Sequence, residues 1–427
     1  MNKHSKEGQM SNTSSAQLLL SNSVVHAPRG LFLAFLTLGL GGLFIGTGEF
    51  ASMSLLPWLA AETEVSLPVA GGYVSAYALG VVVGAPILAV LLAQWDRRRA
   101  LKILMAIFIM GYGASALATS HKTLFIARFV SGLPHGAYYG LASLVAASMV
   151  APNRKAQAAS YVMLGLAAAN AIGVPVATWA GQTLGWRFAF GSIAAGGLLT
   201  LCAVAMLTPT IRPEHNTNPR RELSAMTRSQ VWMTVAVASV GFAGMFCVYS
   251  YITPTLTEVT RMLPQQVPLV LSLMGVGMIA GNLVGGWLVD QNSRLAIIGI
   301  LAWNALSLSA FSMLSKSPAG TLTALIFIGC GFALVPALQA RLMHVAGEAQ
   351  TLAAALNHCA FNISNALGAT LGGWGIALGL GWEATGYIGA GLAMLGLFIF
   401  FGAVCLETTA QPTQKPDYDS TKTINLN

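Results

Sequence analysis

Twelve stretches of this 427-residue chain are each long and apolar enough to cross a lipid bilayer, and no other feature restricts its fold so tightly. Hydrocarbon offers no water to the backbone N–H and C=O groups, so a spanning segment must be a helix or a strand of a closed barrel. The runs here are continuous, without the alternation that barrel strands show, and each reaches the roughly 17 to 25 residues a spanning helix needs. They cover 31–56, 69–92, 101–118, 124–149, 158–184 and 188–207, then 231–252, 267–289, 295–314, 322–343, 352–378 and 387–406. The chain is therefore read as an all-α polytopic membrane protein. Its charge agrees: 8% of its residues are charged, against roughly 25% in a soluble domain.

Lys and Arg set the expected orientation. With the N-terminus cytoplasmic, 17 of the 22 basic residues lie on the cytoplasmic side, four lie opposite, and one, Arg128, falls within a span. Basic loops stay inside, so both termini are expected in the cytoplasm. The net charge of +8 is then a topology signal facing anionic lipid, and it does not imply a nucleic-acid partner. The polar residues 1–29 read as a disordered tail, and a cleaved leader is not expected because the first span is too long and too far from the start. Five cysteines fall in spans at no metal-like spacing and read as apolar packing residues, so neither metal nor cofactor is expected. There is no phosphate loop or nucleophile elbow in convincing context, which leaves enzymatic readings without support.

The chain repeats itself. Gly80, Gly84, Leu91, Gln94 and Arg97 match Gly277, Gly281, Leu288, Gln291 and Arg294 at a constant offset of 197. "NAIG" from Asn170 with Trp179 matches "NALG" from Asn365 with Trp374 at an offset of 195. Two such correspondences imply two homologous six-helix bundles, residues 30–208 and 231–406, joined by a polar, basic cytoplasmic linker, 209–230, with a tail at 407–427. Duplicated bundles can rock about a site at the membrane midplane, opening it to each side in turn.

These residues also carry a family resemblance. The span pattern, with "GTGEF", "YALGVVVGAPILAV", "RFVSGLPHGAYYG" and "NAIGVPVATWAGQTLGWRFAF", resembles the major facilitator superfamily, and within it the twelve-span drug:proton antiporter group, close to the arabinose-efflux permeases. The resemblance covers roughly 31–406. It implies a bacterial inner-membrane transporter, acting as a monomer on a small-molecule substrate with protons as the coupling ion. The family's loop motif between spans 2 and 3 falls on Ala89, Ala93, Arg97 and Arg98, where its Gly and Asp are missing; in the second half it falls on Gly286, Asp290 and Arg294, largely intact. The resemblance implies a charged conformational latch there, with Arg97, Arg98, Asp290 and Arg294 as its parts, although the arginines also serve as topology signals. The family's Arg-x-x-x-Gly element falls on Arg128 and Gly132, while the second half aligns Leu325, Ile326 or Phe327 with Arg128, never a base. The antiporter Gly-Pro pair is split as Gly173 and Pro175, which leaves export and uptake incompletely separated.

Spacing marks the cavity. Arg128, Ser131, His135 and Tyr138 share one helical face of span 4; His358, Asn362 and Asn365 share one of span 11 beside Phe361; span 7 offers Phe242, Phe246 and Tyr249. The resemblance places these spans around the central cavity. His135, Tyr138, Phe242, Phe246, Tyr249, His358, Phe361 and Asn362 are accordingly the candidate substrate contacts. Helix packing is the alternative for each, and the repeated "NALG" favours it for Asn362 and Asn365.

Thirteen of the fourteen acidic residues fall in tails, loops or span ends, leaving Glu49 inside the hydrocarbon. Counted inward at 1.5 Å per residue, Glu49 lies about 13 Å and Arg128 about 9 Å deep, so the two can share a layer. A carboxylate at such depth costs about 2.5–3.5 kcal/mol, more than an inert packing residue warrants. Glu49 and Arg128 are therefore the candidate proton-coupling pair, with Glu49 taking a proton from outside and releasing it inward; a static Glu49–Arg128 ion pair is the structural alternative. The function expected is proton-coupled export of a sugar-like or drug-like solute by alternating access. An uptake symporter of the same fold and a non-transporting membrane receptor are the alternatives.

Overall fold

The computed structural model describes residues 28–92, 94–151, 155–211, 225–347 and 350–410, and every regular element among them is helical. The expected tails lie almost wholly outside the described residues, as do most of the linker and Ala93.

Ten helical segments are long and apolar enough to cross a membrane. The two other expected spans are helices as well, and each departs from that pattern for a reason that bears on the site. Span 4 is broken into His121–Gly132 and His135–Ser148, each shorter than a bilayer crossing. Pro134 at the break has no N–H to give the helix. Span 11, Gln350–Ala377, is one helix of 28 residues, but Asn357, His358, Asn362 and Asn365 dilute its apolarity. Each of these spans carries one of the two candidate histidines.

The remaining spans are Pro28–Ser54 (span 1, extended by Leu56–Glu62), Gly72–Leu92 (span 2), Arg97–Ala116 (span 3), Lys155–Ala168 continued to Leu184 (span 5) and Trp186–Leu207 (span 6). Span 5 is widened by a π-helical turn at Ala169–Gly173, within the "NAIG" stretch. Span 7 runs Ser229–Gly241 and Ala243–Ser250, then loosens through Ile252–Pro254 into a π turn at Thr255–Val259. Spans 8 and 9 are two helices, as expected, lying within Val267–Leu314 and separated at Asn292, whose extended φ of −158° and ψ of 98° break the helix between them. Pro318–Cys330 and Leu334–Ala346 make span 10, joined by a 3-10 turn at Gly331–Ala333, and Ala384–Ala410 is span 12.

The internal repeat is visible in the packing. A Cβ on Gly80 of span 2 would strike the Phe129 carbonyl and press on Gly132 of span 4; one on Gly277 of span 8 would strike the Ile326 carbonyl and press on Gly329 of span 10. Small residues let these helix pairs cross with backbones in contact, as membrane helices need where no hydrophobic force drives them together. Gly132 and Gly329 stand 197 apart, the same offset as Gly80 and Gly277. This register aligns Arg128 with Leu325, deciding among the three positions the sequence left open.

With twelve spans, both chain ends fall on one face, called here the terminal face. On the opposite, distal face the two sets of six helices are tied together. Thr253 Oγ1 donates to the Ser54 carbonyl at 2.6 Å, Gln182 Nε2 to the Pro264 carbonyl at 3.0 Å, and Ser75 and Thr370 share a hydroxyl contact at 3.2 Å. Tyr251 fills a slot walled by Gly71, Gly372 and Gly373, where any Cβ would meet its ring or hydroxyl.

Candidate functional site

Glu49 is buried, 6% exposed, where spans 1, 4 and 11 meet. Its Oε1 accepts from Asn365 Nδ2 at 3.2 Å, and its Oε2 lies 3.9 Å from His135 Nδ1. His135 Nδ1 is also 3.0 Å from the Tyr77 hydroxyl of span 2. The break after Gly132 begins a fresh helix at His135, so its imidazole stands at a helix start facing the carboxylate.

Arg128 is fully buried, and among the described residues no ion pair joins it to Glu49, so the static pair is not formed. Its guanidinium donates instead to Tyr112 Oη at 2.9 Å, Ser52 Oγ at 3.0 Å and the Gly48 carbonyl at 3.5 Å, while Nε has no partner. Three rings surround the cation, Tyr77 at 4.5 Å, Tyr112 at 5.3 Å and Phe190 at 5.5 Å from its central carbon. Ring faces attract a desolvated cation by up to about 2 kcal/mol, which offsets much of the burial cost without a counter-ion. Depth counting lets Glu49 and Arg128 share a layer but does not show that Ser52, one turn along span 1 from Gly48, meets the guanidinium first.

His358 of span 11 faces the same centre. Its ring stacks on Tyr139 at 5.4 Å and 10°, and meets His135 edge-on at 6.2 Å. Tyr138 does not join this group: its hydroxyl donates to the Leu38 carbonyl of span 1 at 3.1 Å. Tyr139, four residues on from His135 and on the same face, takes that place. Sequence spacing admitted either tyrosine.

Span 7 contributes an aromatic wall. Phe246 and Tyr249 meet Phe50 of span 1 at 6.2 Å and 5.2 Å, and Phe242 meets Phe361 at 4.9 Å and Phe332 at 5.7 Å. Asn362 is buried and donates to the His358 carbonyl of its own helix at 3.0 Å, leaving its Oδ1 without a partner. Asn365 was set aside as architectural, yet it is the residue that reaches Glu49. The repeated motif concealed this, because its counterpart Asn170 bonds within its own helix, to the Leu166 carbonyl at 3.0 Å.

The latch residues lie apart, on the terminal face. Arg294 Nη2 and Arg341 Nη2 converge on Glu407 Oε2 at 3.2 Å and 3.3 Å. Arg98 donates to the Ala205 carbonyl, and the Arg97 backbone N–H to the Ile211 carbonyl at 3.0 Å. The side chain of Asp290 lies outside the described residues.

A family model described as Major Facilitator Superfamily matches residues 38–351 and 248–423. The chain is similar to the inner membrane transport protein YdhP of Escherichia coli (strain K12), 40% identical over 86% of this chain and 94% of that protein. It is also similar to the chloramphenicol resistance protein of Streptomyces lividans, 30% identical over 86% of this chain and 95% of that one. Among solved structures, the inward-facing, occupied form of a bacterial homolog of the human lysosomal transporter Spinster superposes with a TM-score of 0.72 at 14% identity, covering 91% of this chain and all of that one.

Proposed function

The chain belongs to the Major Facilitator Superfamily, a family of membrane transporters and not of enzymes, and from that premise we propose that it exports a small neutral or amphipathic solute in exchange for protons. The observation that carries this reading is Glu49, a buried carboxylate touching groups from both sets of helices. A carboxylate in hydrocarbon is costly and marks an ion or proton path. Here it is met by Asn365 from one side and His135 from the other, so a rocking motion of one bundle against the other changes its surroundings and its hold on a proton.

The solute site is the layer next to this carboxylate. On one side stand His135, Tyr139 and His358; on the other stands the Phe242, Phe246, Tyr249 and Phe361 wall. A polar pole facing an aromatic one suits an amphipathic, uncharged solute of the size of a sugar or an amphenicol. The chloramphenicol resistance relative supports that size class. The YdhP relative supports an inner-membrane location, and the basic loops support cytoplasmic termini.

The test uses inside-out vesicles, radiolabelled chloramphenicol and a panel of labelled neutral sugars, with and without an imposed pH gradient. Wild-type chain is expected to concentrate one of these probes, and Glu49→Gln to lose gradient-driven accumulation while still inserting and exchanging solute downhill. Accumulation by Glu49→Gln that follows the pH gradient at the wild-type rate would overturn the proton-carrier role.

A further inference from the structure

If Glu49 carries the proton, something in the last six helices must respond to it, and the coordinates single out one residue. We infer that Asn365 registers the proton on Glu49 for those helices, its amide donating to the ionised carboxylate and accepting from the protonated one. The inference rests on the proton-coupled reading above.

Donor and acceptor counts make the case. An ionised carboxylate only accepts hydrogen bonds, whereas a protonated one also has an O–H to donate. Asn365 Nδ2 donates to Glu49 Oε1 at 3.2 Å, an arrangement that suits the ionised form. Asn365 Oδ1 is buried and has no partner. An unpaired acceptor in a dry site is costly, so this oxygen is available to a donor that comes within reach. A half-turn of the amide brings that oxygen to the carboxyl, where a protonated Glu49 satisfies it. One side chain thus meets both protonation states, but not equally: the bond to the ionised carboxylate is charge-assisted and the bond from the neutral carboxyl is not, so protonation weakens the tie between the two sets of helices.

The other charged and titratable groups around Glu49 do not fill this role. Arg128, Tyr77, Tyr112, Tyr139 and His135 belong to the first six helices. From the last six, Tyr249 packs edge-on against Phe50, and His358 stacks on Tyr139. Among the described residues, the Asn365 bond is the one hydrogen bond made to the Glu49 carboxylate, and it crosses between the two sets of helices. Asn365 is therefore a positioning residue that converts a proton into a contact between the bundles.

The test needs no solute. In full-length chain carrying Gln182→Cys, at the distal tie to Pro264, the labelling rate by a membrane-impermeant maleimide on intact cells reports opening of that face relative to the parent chain. Between about pH 5.5 and pH 8 the labelling rate, normalised at each pH to that of the unfolded chain so that thiol ionisation cancels, is expected to change at least about threefold. Asn365→Leu, which keeps volume, and Asn365→Ala, which cannot overpack, should both flatten the response. Adding either to Glu49→Gln should change nothing further, because two parts of one unit are not additive. A wild-type pH response in either Asn365 variant overturns the inference, and so does a loss that adds to that of Glu49→Gln, since that marks packing. If Glu49→Gln itself keeps the response, the proton-coupled reading fails first, and the inference falls with it.

Discussion

The two sets of six helices share a frame and differ in what they place on it. Spans 2 and 4 cross at Gly80 and Gly132, and spans 8 and 10 cross at Gly277 and Gly329, with the same backbone contacts. Spans 4 and 10 are both interrupted just after these glycines, at Leu133–Pro134 and at Gly331–Ala333. On this common frame the first half carries Arg128 and His135, where the second carries Leu325 and Phe332 at the same offset of 197. Near Glu49's level, span 7 of the second half offers Phe246. Charge chemistry sits in one half and an aromatic face in the other. Beside Glu49, Asn365 and His358 are the polar groups that the second half brings to the first, so on the proposed reading the duplicated scaffold divides its labour: one half holds the proton and the other answers it.

The sharpest way to break this comparison is to give the second half the first half's arginine. Arg128 is tolerable because Tyr112, Ser52 and Gly48 accept from it and three rings surround it. At the same offset from Tyr77 and Tyr112 stand Met274 and Ser309, and the Ser309 hydroxyl is committed to the Ala305 carbonyl. Leu325→Arg therefore buries a cation without the partners that Tyr77 and Tyr112 give Arg128. It is expected to cost about 3 kcal/mol or more and to remove most of the membrane-inserted yield. Near-normal yield and thermal midpoint would show that the second half retains a hidden arginine site, and the division of labour would fall.

A gentler change tests the shared frame. Gly80→Val and Gly277→Val each drive a branched side chain into a backbone carbonyl of the crossing helix, the far end of which cannot move aside. Each is expected to lower stability by about 1–3 kcal/mol, and by similar amounts. Paired thermal melts in one detergent would check it. A large loss in one and none in the other would mean that the crossings only look alike.

Much of this was legible in the sequence, and the reason lies in periodicity. Span existence, the repeat and the singularity of Glu49 and Arg128 follow from apolar length and from a constant offset, both of which a single chain displays. The π-helical turn of span 5 at Ala169–Gly173 did not follow, because an apolar run reads the same with or without one widened turn. Partner choice was also hidden. Arg128 was matched with Glu49 by depth, although depth fixes only the layer, and rotation about the helix axis turns the guanidinium to Ser52 and Tyr112. Asn365 was read as scaffold because Asn170 repeats it. The repeat preserves a residue type in both halves while the neighbours that give it a role, Glu49 in one case and its own helix in the other, are set by contacts between distant spans.

The smallest expected effect concerns the terminal face, where the halves also differ. In the second half, Glu407 gathers Arg294 and Arg341 at 3.2 Å and 3.3 Å; in the first, Arg98 donates to the neutral Ala205 carbonyl. Arg294 is half-exposed, 49% by its side chain, so its pairing is worth no more than about 1 kcal/mol and is subject to screening. Raising ionic strength from about 0.05 M to about 0.5 M shortens the range of that attraction several-fold, whereas a bond to a neutral carbonyl carries little of it. Arg294→Gln should therefore lower the thermal midpoint slightly at low salt and hardly at all at high salt. Arg98→Gln should lower it by an amount that salt does not change. The measurement is a melt of each variant against its parent at both salt concentrations. Equal salt dependence in the two variants would show that the first half also pairs its loop arginine with a carboxylate, making the two faces alike where the coordinates have them differ.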